Sequence, residues 1–513
     1  MRQPLLDSRT GNRKSSKGFT PPPVGGLNLR DNPLSLRQDE ARLLNNWIAY
    51  PDKLVTRQGT SLYAPTPSEA KAIMAYNTGT TAQLFAASDT EVRTISPGTS
   101  ALAFSCTNAD WQGFNFAAGG ANYLYALNGV DGPRLYNGTT WQAVTAVSAP
   151  IAITGISPLD IISGTPYNER LFFLKSLQKS FYYLPVGQVG GALVEFPVGR
   201  YLARGGYLMA ISTVSIDGGD GLDDYLIVAS SEGEVLLYQG TDPSDSTRWR
   251  MRGSYFVGKP LNKHAFQPYG TETMYLCEAG LFSMPNALQQ VSTGRALAVT
   301  DKVEPALSAF LNLYGPGNRW RVAYNPKIPC LLVNIPVSGG YQFVQQARGG
   351  RWSSFTGWPI NDMIYAGGAF YFAGPAGVYR AFDGSQDLTV PITCRAMTAP
   401  RAYAGGGSLT EITGLRPRFL YASPFTYGVG VVEELQELVP DFIYGVASVN
   451  ALIWNQGNWN QSVWAGGLQQ ELEWTTPQTY PSDHVAVAMQ VATGSGQVQW
   501  LGVDAAFVAG FDW

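Results

Sequence analysis

From residue 71 to about residue 384 a loose unit recurs: a short aliphatic or aromatic run, a Gly or Asn turn, a second aromatic run, and often a Trp-containing run after it. Short β-favouring runs bounded by turn residues make strands, and a repeat of roughly 40 to 50 residues matches four-stranded blades arranged about an axis. The first copy joins KAIMAYN to AQLFAASDTEVRTIS, and the second sets Phe114, Phe116, Tyr123 and Tyr125 ahead of the stretch from Arg134 to Trp141. Within that stretch Asn137-Gly138 predicts a tight hairpin whose two turn residues take positive φ. A third copy, YNERLFFLKSLQKSFYYLP, predicts 171–174 as a buried inner strand with 181–184 beside it. Later copies are DDYLIVASSEGEVLLYQG, TETMYLCEAGLFSMP, RWRVAYNPKIPCLLVNIP with YQFVQQARGGRWSSF, and DMIYAGGAFYFAGPAGVYRAFDG. Unbroken apolar runs at 225–229 and 331–333 suit inner strands covered on both faces, where a single sandwich would alternate. About six or seven blades fit the length; a double β-sandwich is the competing architecture.

Composition agrees with an all-β chain: 57 Gly and 33 Pro supply turns, and aromatic residues reach 12% against 14% charged. The net charge of −3 offers no global attraction to nucleic acid or anionic membrane, so any DNA contact has to be local. Cys106, Cys277, Cys330 and Cys394 lack the close spacing of zinc ligands and the density of a disulfide framework, and read as buried thiols. The N-terminus has no apolar signal region and no run approaches the ~20 apolar residues of a membrane span, so synthesis and assembly in the cytoplasm are expected.

Chemistry has few candidates. Only His264 and His484 exist, each read as a surface or packing residue, and no nucleophile elbow, Walker loop or His-Glu-x-x-His is present. The string from Asn137 to Trp141 lacks the Asp of sialidase boxes. The acidic run from Asp217 to Asp224 carries oxygens of the kind Ca²⁺ takes, but without a distal Glu it reads as a solvated turn. Glu433-Glu434 are adjacent, which does not place two acids across a cleft. The expectation is a non-enzyme without cofactor or metal.

The stretch 25–59 is the most distinctive local segment. Gly25-Gly26 opens it, Leu27, Asn28 and Asp31 follow in an extended run, and Pro33 interrupts regular structure. Gln38 with acidic Asp39 and Glu40, ahead of Ala41, Leu43, Leu44 and Trp47, predict a short helix, and 54–59, with Arg57 and a closing Gly59, predicts a strand. Ahead of it, residues 1–20 carry Arg2, Arg9, Arg13, Lys14 and Lys17 against Asp7, with too little hydrophobicity to order by themselves. The C-terminal part changes character near Asp387, and Trp454, Trp459 and Trp464 fall at five-residue steps that suit aromatic anchors.

The Gly-Gly-Leu-Asn…Asp…Pro…Arg-x-Gly run and the Trp-rich stretch resemble the tail nozzle (tail hub) proteins of short-tailed bacteriophages. The resemblance implies a β-propeller with an N-terminal arm and a C-terminal β-sandwich-like platform: 1–24 a flexible basic tail, 25–62 a docking arm, 63–385 the propeller and 386–513 the platform. It implies a structural virion protein in the tail, a homohexameric ring below the head-to-tail adaptor through which genomic DNA passes without sequence-specific binding. Adaptor proteins, tail fibres or spikes and the host envelope at infection are the implied partners. The assembly residues would be Gly25, Gly26, Leu27, Asn28, Asp31, Trp47 and Arg57, with Trp454, Trp459 and Trp464 anchoring the platform. The alternative is a receptor- or glycan-binding propeller in which Trp352, Phe355 and Trp358 stack on sugars.

Overall fold

The computed structural model describes residues 15–79, 82–217, 222–270, 272–290, 298–317, 319–403, 408–433, 442–447, 469–470 and 473–511, arranged in two compact units. One unit, 60–347 with 356–382, is a β-propeller. Among its described residues seven antiparallel sheets follow one another, with first strands Ala72–Asn77, Gln112–Ala118, Ile161–Tyr167, Leu208–Asp217, Phe266–Tyr269, Arg321–Asn325 and Asp362–Ala366. Each first strand packs beside the next in cyclic order, and Asp362–Ala366 returns to Ala72–Asn77, closing the ring. The closing device is Thr60–Pro65, which pairs antiparallel with Gly377–Ala381 and completes the seventh sheet from the other end of the unit. This pairing leaves fewer free sheet edges and ties the start of the ring to its end.

Why the apolar runs are unbroken is now visible. In Leu222–Ser230, Leu226 and Val228 join a core with Phe172, Phe181 and Trp249 on one side, while Ile227 and Ala229 join another with Tyr275, Cys277 and Phe282. A blade buried between two neighbours has no solvent face, so alternation disappears. These runs and Leu171 to Leu174 belong to second strands, however, and not to the inner ones expected from sequence. The helix Met284–Gln290 adds Met284, Ala287 and Leu288 to the core shared by the fourth and fifth sheets.

The Asn137-Gly138 expectation is also corrected. Tyr136 pairs with Trp141, so the loop has four residues, and only Gly138 takes a positive φ. Asn137 acts through its side chain, whose Oδ1 accepts from the N–H groups of Thr139 and Thr140 at 3.0 and 2.9 Å.

The other unit comprises the described residues among 15–59, 348–355 and 383–511 and is a two-sheet sandwich. In one sheet the long strand Val498–Phe511 is central: Leu409–Tyr421 pairs along one side, and Leu54–Thr56 and Ser16–Thr20 pair with it in turn. The other sheet runs Ile443–Ala447, Phe425–Glu433, Val485–Thr493, Val390–Thr398 and Glu40–Asn45. The layers meet through Phe419, whose ring lies 5.2 Å from Phe425 and 5.6 Å from Tyr427.

Two further corrections fall here. The helix expected over 38–47 is absent; Glu40–Asn45 and Trp47–Ala49 are strands, one in each sheet. Between them Asn46 sits at φ 60°, the corner where the chain changes layers. Residues 16–20, expected within a basic tail, form a strand in register with 503–507. The segment 40–57 is core: Trp47 is fully buried and lies 6.0 Å from Trp500, so a cut at residue 59 would remove the centre of this unit.

Candidate functional site

The residues singled out from sequence at 25–57 are brought together by a set of buried polar contacts. Asn28 is buried, and its Nδ2 donates to Asp31 Oδ2 at 2.8 Å and to buried Glu40 Oε2 at 3.0 Å. Its Oδ1 accepts from the N–H groups of Arg30 and Asp31, both at 3.2 Å, which fixes the turn. Gly25 has no room for a side chain, since a Cβ there would lie 2.7 Å from the Asp39 carbonyl oxygen. Gly26, at φ +90°, lies against the backbone of Trp352, and Leu27 is buried.

Arg57 is the buried node of this unit. Its Nη1 and Nη2 fork onto Asp387 at 2.9 and 2.5 Å, Nε donates to Asn46 Oδ1 at 2.9 Å, and Nη1 also reaches the Gln58 carbonyl at 2.9 Å. Asn46 Nδ2 donates in turn to the Thr393 carbonyl at 2.7 Å, so the layer-changing corner, the arginine and the strand Val390–Thr398 form one network. The Phe355 ring lies 5.6 Å from the guanidinium. The arrangement positions chain segments and offers no reactive atom.

A second cluster, not foreseen, lies in the propeller. Asp110 precedes the first strand of the second sheet, Lys263 and His264 precede that of the fifth, and Arg321 and Asp362 begin those of the sixth and seventh. His264 Nε2 lies 3.0 Å from Asp110 Oδ1, Lys263 Nζ 3.0 Å from Asp110 Oδ2, and Arg321 Nη2 3.4 Å from Asp110 Oδ1. Arg321 Nε reaches Asp362 Oδ1 at 3.0 Å, and Asp362 Oδ2 accepts from the Ile73 N–H of the first sheet at 3.0 Å. The second and fifth sheets are not neighbours in the ring, so the Asp110–His264 contact crosses its axis. One end of the axial channel is thereby bolted by a charge-balanced network of two carboxylates, a lysine and an arginine, with the imidazole between them.

Electrostatics keep that bolt in one state at neutral pH. Burial raises the Asp110 carboxyl, but the His264 contact and the Lys263 and Arg321 cations outweigh it and hold it well below the usual carboxylate range. Burial, helped by Arg321, lowers His264 to about 4 against the pull of Asp110. Neutral His264 then donates from Nε2 to Asp110. Sequence offers no flag for this cluster, because apart from the adjacent Lys263 and His264 its members are 41 to 252 positions apart and are joined only by ring closure.

A base depressed in the folded state binds its proton more readily when unfolded, so stability is full above the ordinary histidine pKa of about 6.5 and is lost as pH falls towards 4. The expected loss over that window is about 3 kcal/mol, from roughly 1.4 kcal/mol per pKa unit. Urea denaturation at pH 7 and pH 4.5 should show it, and His264→Gln should flatten this part of the profile. An unchanged midpoint in the parent protein would remove the assignment.

A cleft of about 440 Å³ opens beside the bolt between Lys71, Arg319 and Arg321 and the acids Glu69, Asp89 and Asp110. Lys71 pairs with Asp89, and Glu69 accepts from Asn361 at 2.7 Å, so these groups are mutually satisfied. A second cleft of about 870 Å³ includes Lys263, Tyr207, Met209 and Leu311. Among the described residues no group of three or more His, Cys, Asp or Glu side chains is placed to hold a metal ion. All four cysteines are free and buried.

Of the other sequence candidates, residues 218–221 of the acidic run and Trp454, Trp459 and Trp464 lie outside the described residues. Asp224 Oδ1 accepts from Ser215 at 2.5 Å, and Glu433 Oε1 accepts from the Tyr480 N–H at 2.5 Å. Trp352, Phe355 and Trp358 are buried to within 1%, which corrects their reading as a sugar-stacking surface: they are core.

No family model matches this chain, and no curated protein does. Among solved structures it is similar to Raptor from Chaetomium thermophilum, at 9% identity and TM-score 0.39, covering 66% of this chain and 30% of Raptor. It is similar to BBS1N in complex with ARL6DN, at 10% identity and TM-score 0.39, covering 67% and 99%. YCF48 from Cyanidioschyzon merolae matches at 11% identity and TM-score 0.38, covering 64% and 99%. Likenesses this distant carry no functional argument, and the propeller stands on the strand pairing within the chain itself.

Proposed function

We propose that this chain is a structural subunit of a short-tailed phage tail: the nozzle, or hub, a ring-shaped conduit and gate for DNA ejection below the head-to-tail adaptor. The observation that carries the reading is the 25–59 run, whose residues resemble the nozzle family and whose defining side chains Asn28, Trp47 and Arg57 are buried together in one sandwich unit. A propeller suits a conduit wall because radial repetition gives a rigid body with few exposed sheet edges. The bolt supports a structural role too, since its titratable groups are ion-paired or held neutral and leave no poised acid or base.

The test is electron microscopy of the purified chain, alone and mixed with a cognate portal and adaptor. Six-fold rings with a central channel are expected. Single particles that never join a ring in the presence of both partners would overturn the proposal.

A further inference from the structure

The sandwich unit carries a basic and aromatic sheet face that the bolt and the arm network do not use. Three neighbouring strands contribute: Ser16–Thr20, Val498–Phe511 and Leu409–Tyr421. Phe19 lies opposite Asp504 and Asp504 opposite Arg416, while Gly502 lies opposite Arg418, so these residues project from one face. Leu415 and Val503, with the opposite parity, are fully buried on the other.

On the open face the cations are held in place before any ligand arrives. Arg416 donates through Nε and Nη2 to Asp504 Oδ2 at 2.8 and 2.6 Å, and Arg418 through Nε and Nη2 at 3.0 and 2.8 Å. Arg416 lies 4.9 Å from the Trp474 ring and Arg418 5.6 Å from that of Phe19; Lys17 approaches Trp474 at 5.4 Å. Arg401 donates through Nη1 to the Phe19 carbonyl at 3.2 Å. The aromatic rings rest on residues without side chains. A Cβ on Gly414 would meet Trp474 at 3.3 Å, and one on Gly502 would meet Phe19 at 2.4 Å.

Three cations, Lys17, Arg416 and Arg418, thus share this face, the two arginines held by one carboxylate, with Glu473 adjacent in sequence to Trp474, on a chain whose net charge is −3. Guanidinium groups stacked on rings and pinned by a carboxylate have already lost their side-chain entropy, and their remaining N–H donors match phosphate oxygens. The cations are spread over the face and not gathered at one point, which suits a polyanion with many equivalent charges.

We propose that this face is a sequence-independent contact for the phosphate backbone of duplex DNA. It deepens the conduit reading and rests on it for the source of the duplex. With about three phosphate contacts the binding is weak and salt-sensitive, with affinities on the order of 10⁻⁴ to 10⁻⁶ M, so a passing duplex is guided and not held.

The test is fluorescence anisotropy of the full chain with a labelled random-sequence 20-base-pair duplex, across a salt series. A slope of log K against log salt near −3 is expected, from roughly 0.9 per phosphate. Arg416→Gln with Arg418→Gln should make the slope shallower by about two, and Lys17→Gln, at an exposed position, should make it shallower by about one and leave melting unchanged. No binding at low salt, or variants that bind as the parent does, would overturn the proposal. So would polyglutamate binding more tightly than DNA at equal charge, which would assign the face to an acidic protein partner. Because monomers suffice for this assay, its failure is separable from a failure to form rings.

Discussion

Replacing Asp110 with alanine is expected to cost the propeller about 3–5 kcal/mol, the penalty of stripping one partner from a buried ion network. The carboxylate faces Lys263, His264 and Arg321 from across the ring, and its loss leaves only Asp362 as counter-charge in the bolt. Burial already lowers the Lys263 ammonium against the pull of Asp110, so without that partner its charged form becomes still less favourable. Asp110→Asn keeps the shape and loses the charge, and should cost less. Adding Lys263→Met to Asp110→Ala should recover part of the loss, because a buried pair replaced by apolar groups is often near neutral. Urea denaturation reads the loss, and hydrogen exchange of the first strands assigns it to the propeller. A single-variant cost below about 1 kcal/mol would mean that the cross-axis contact contributes nothing beyond a surface pair.

Arg57→Met should destabilise the sandwich unit by a similar amount, about 3–5 kcal/mol. Its fork onto Asp387, its bond to Asn46 at the corner between layers and its bond to the Gln58 carbonyl are lost together. Methionine fills the stem volume but leaves the Asn46 and Asp387 acceptors short of a donor. Arg57→Lys retains the charge without the planar fork and should fall between the two. Tryptophan fluorescence follows the transition, since Trp47 and Trp500 sit in this core. If Arg57→Met melts as the parent does, the network is not what holds the corner.

These two residues also differ in how legible they were. Arg57 stood out in the chain because Arg-x-Gly closes a recognisable local run, and its buried position gives that run a physical reason: Gly59 admits no Cβ against the Gln386 backbone, which lies 1.8 Å from where it would be. Asp110 did not stand out at all. The nearest other member of its cluster in sequence, Lys263, is 153 positions away, and a lone Asp beside Trp111 looks like any turn residue. His264 was readable only as a packing or surface residue, and it is a half-buried packing residue at the axis.

The helix expected over 38–47 shows where periodicity stops deciding. Ala41, Leu44 and Trp47 are all buried, as a helical stripe would require. They are buried as strand residues: Trp47 because it pairs with Thr56 in the other sheet, and Ala41 and Leu44 because Glu40–Asn45 pairs with Val390–Thr398, some 350 residues away, with a register shift between Ala41 and Leu43 that breaks the alternation. A ten-residue window cannot see that partner, and a bulge disguises the strand period.

What the amino-acid sequence determined alone was the kind of architecture: turn-bounded aromatic runs, repeated at blade spacing and too apolar for a sheet with one wet face, specify blades buried between blades. Ring order, the closing strand Thr60–Pro65, the bolt across the axis and the basic face of the sandwich were decided only by tertiary structure. Local propensity and hydrophobic pattern act over a few residues, whereas each of these features joins side chains or strands separated by tens to hundreds of positions, and nothing in their own neighbourhoods records the partner.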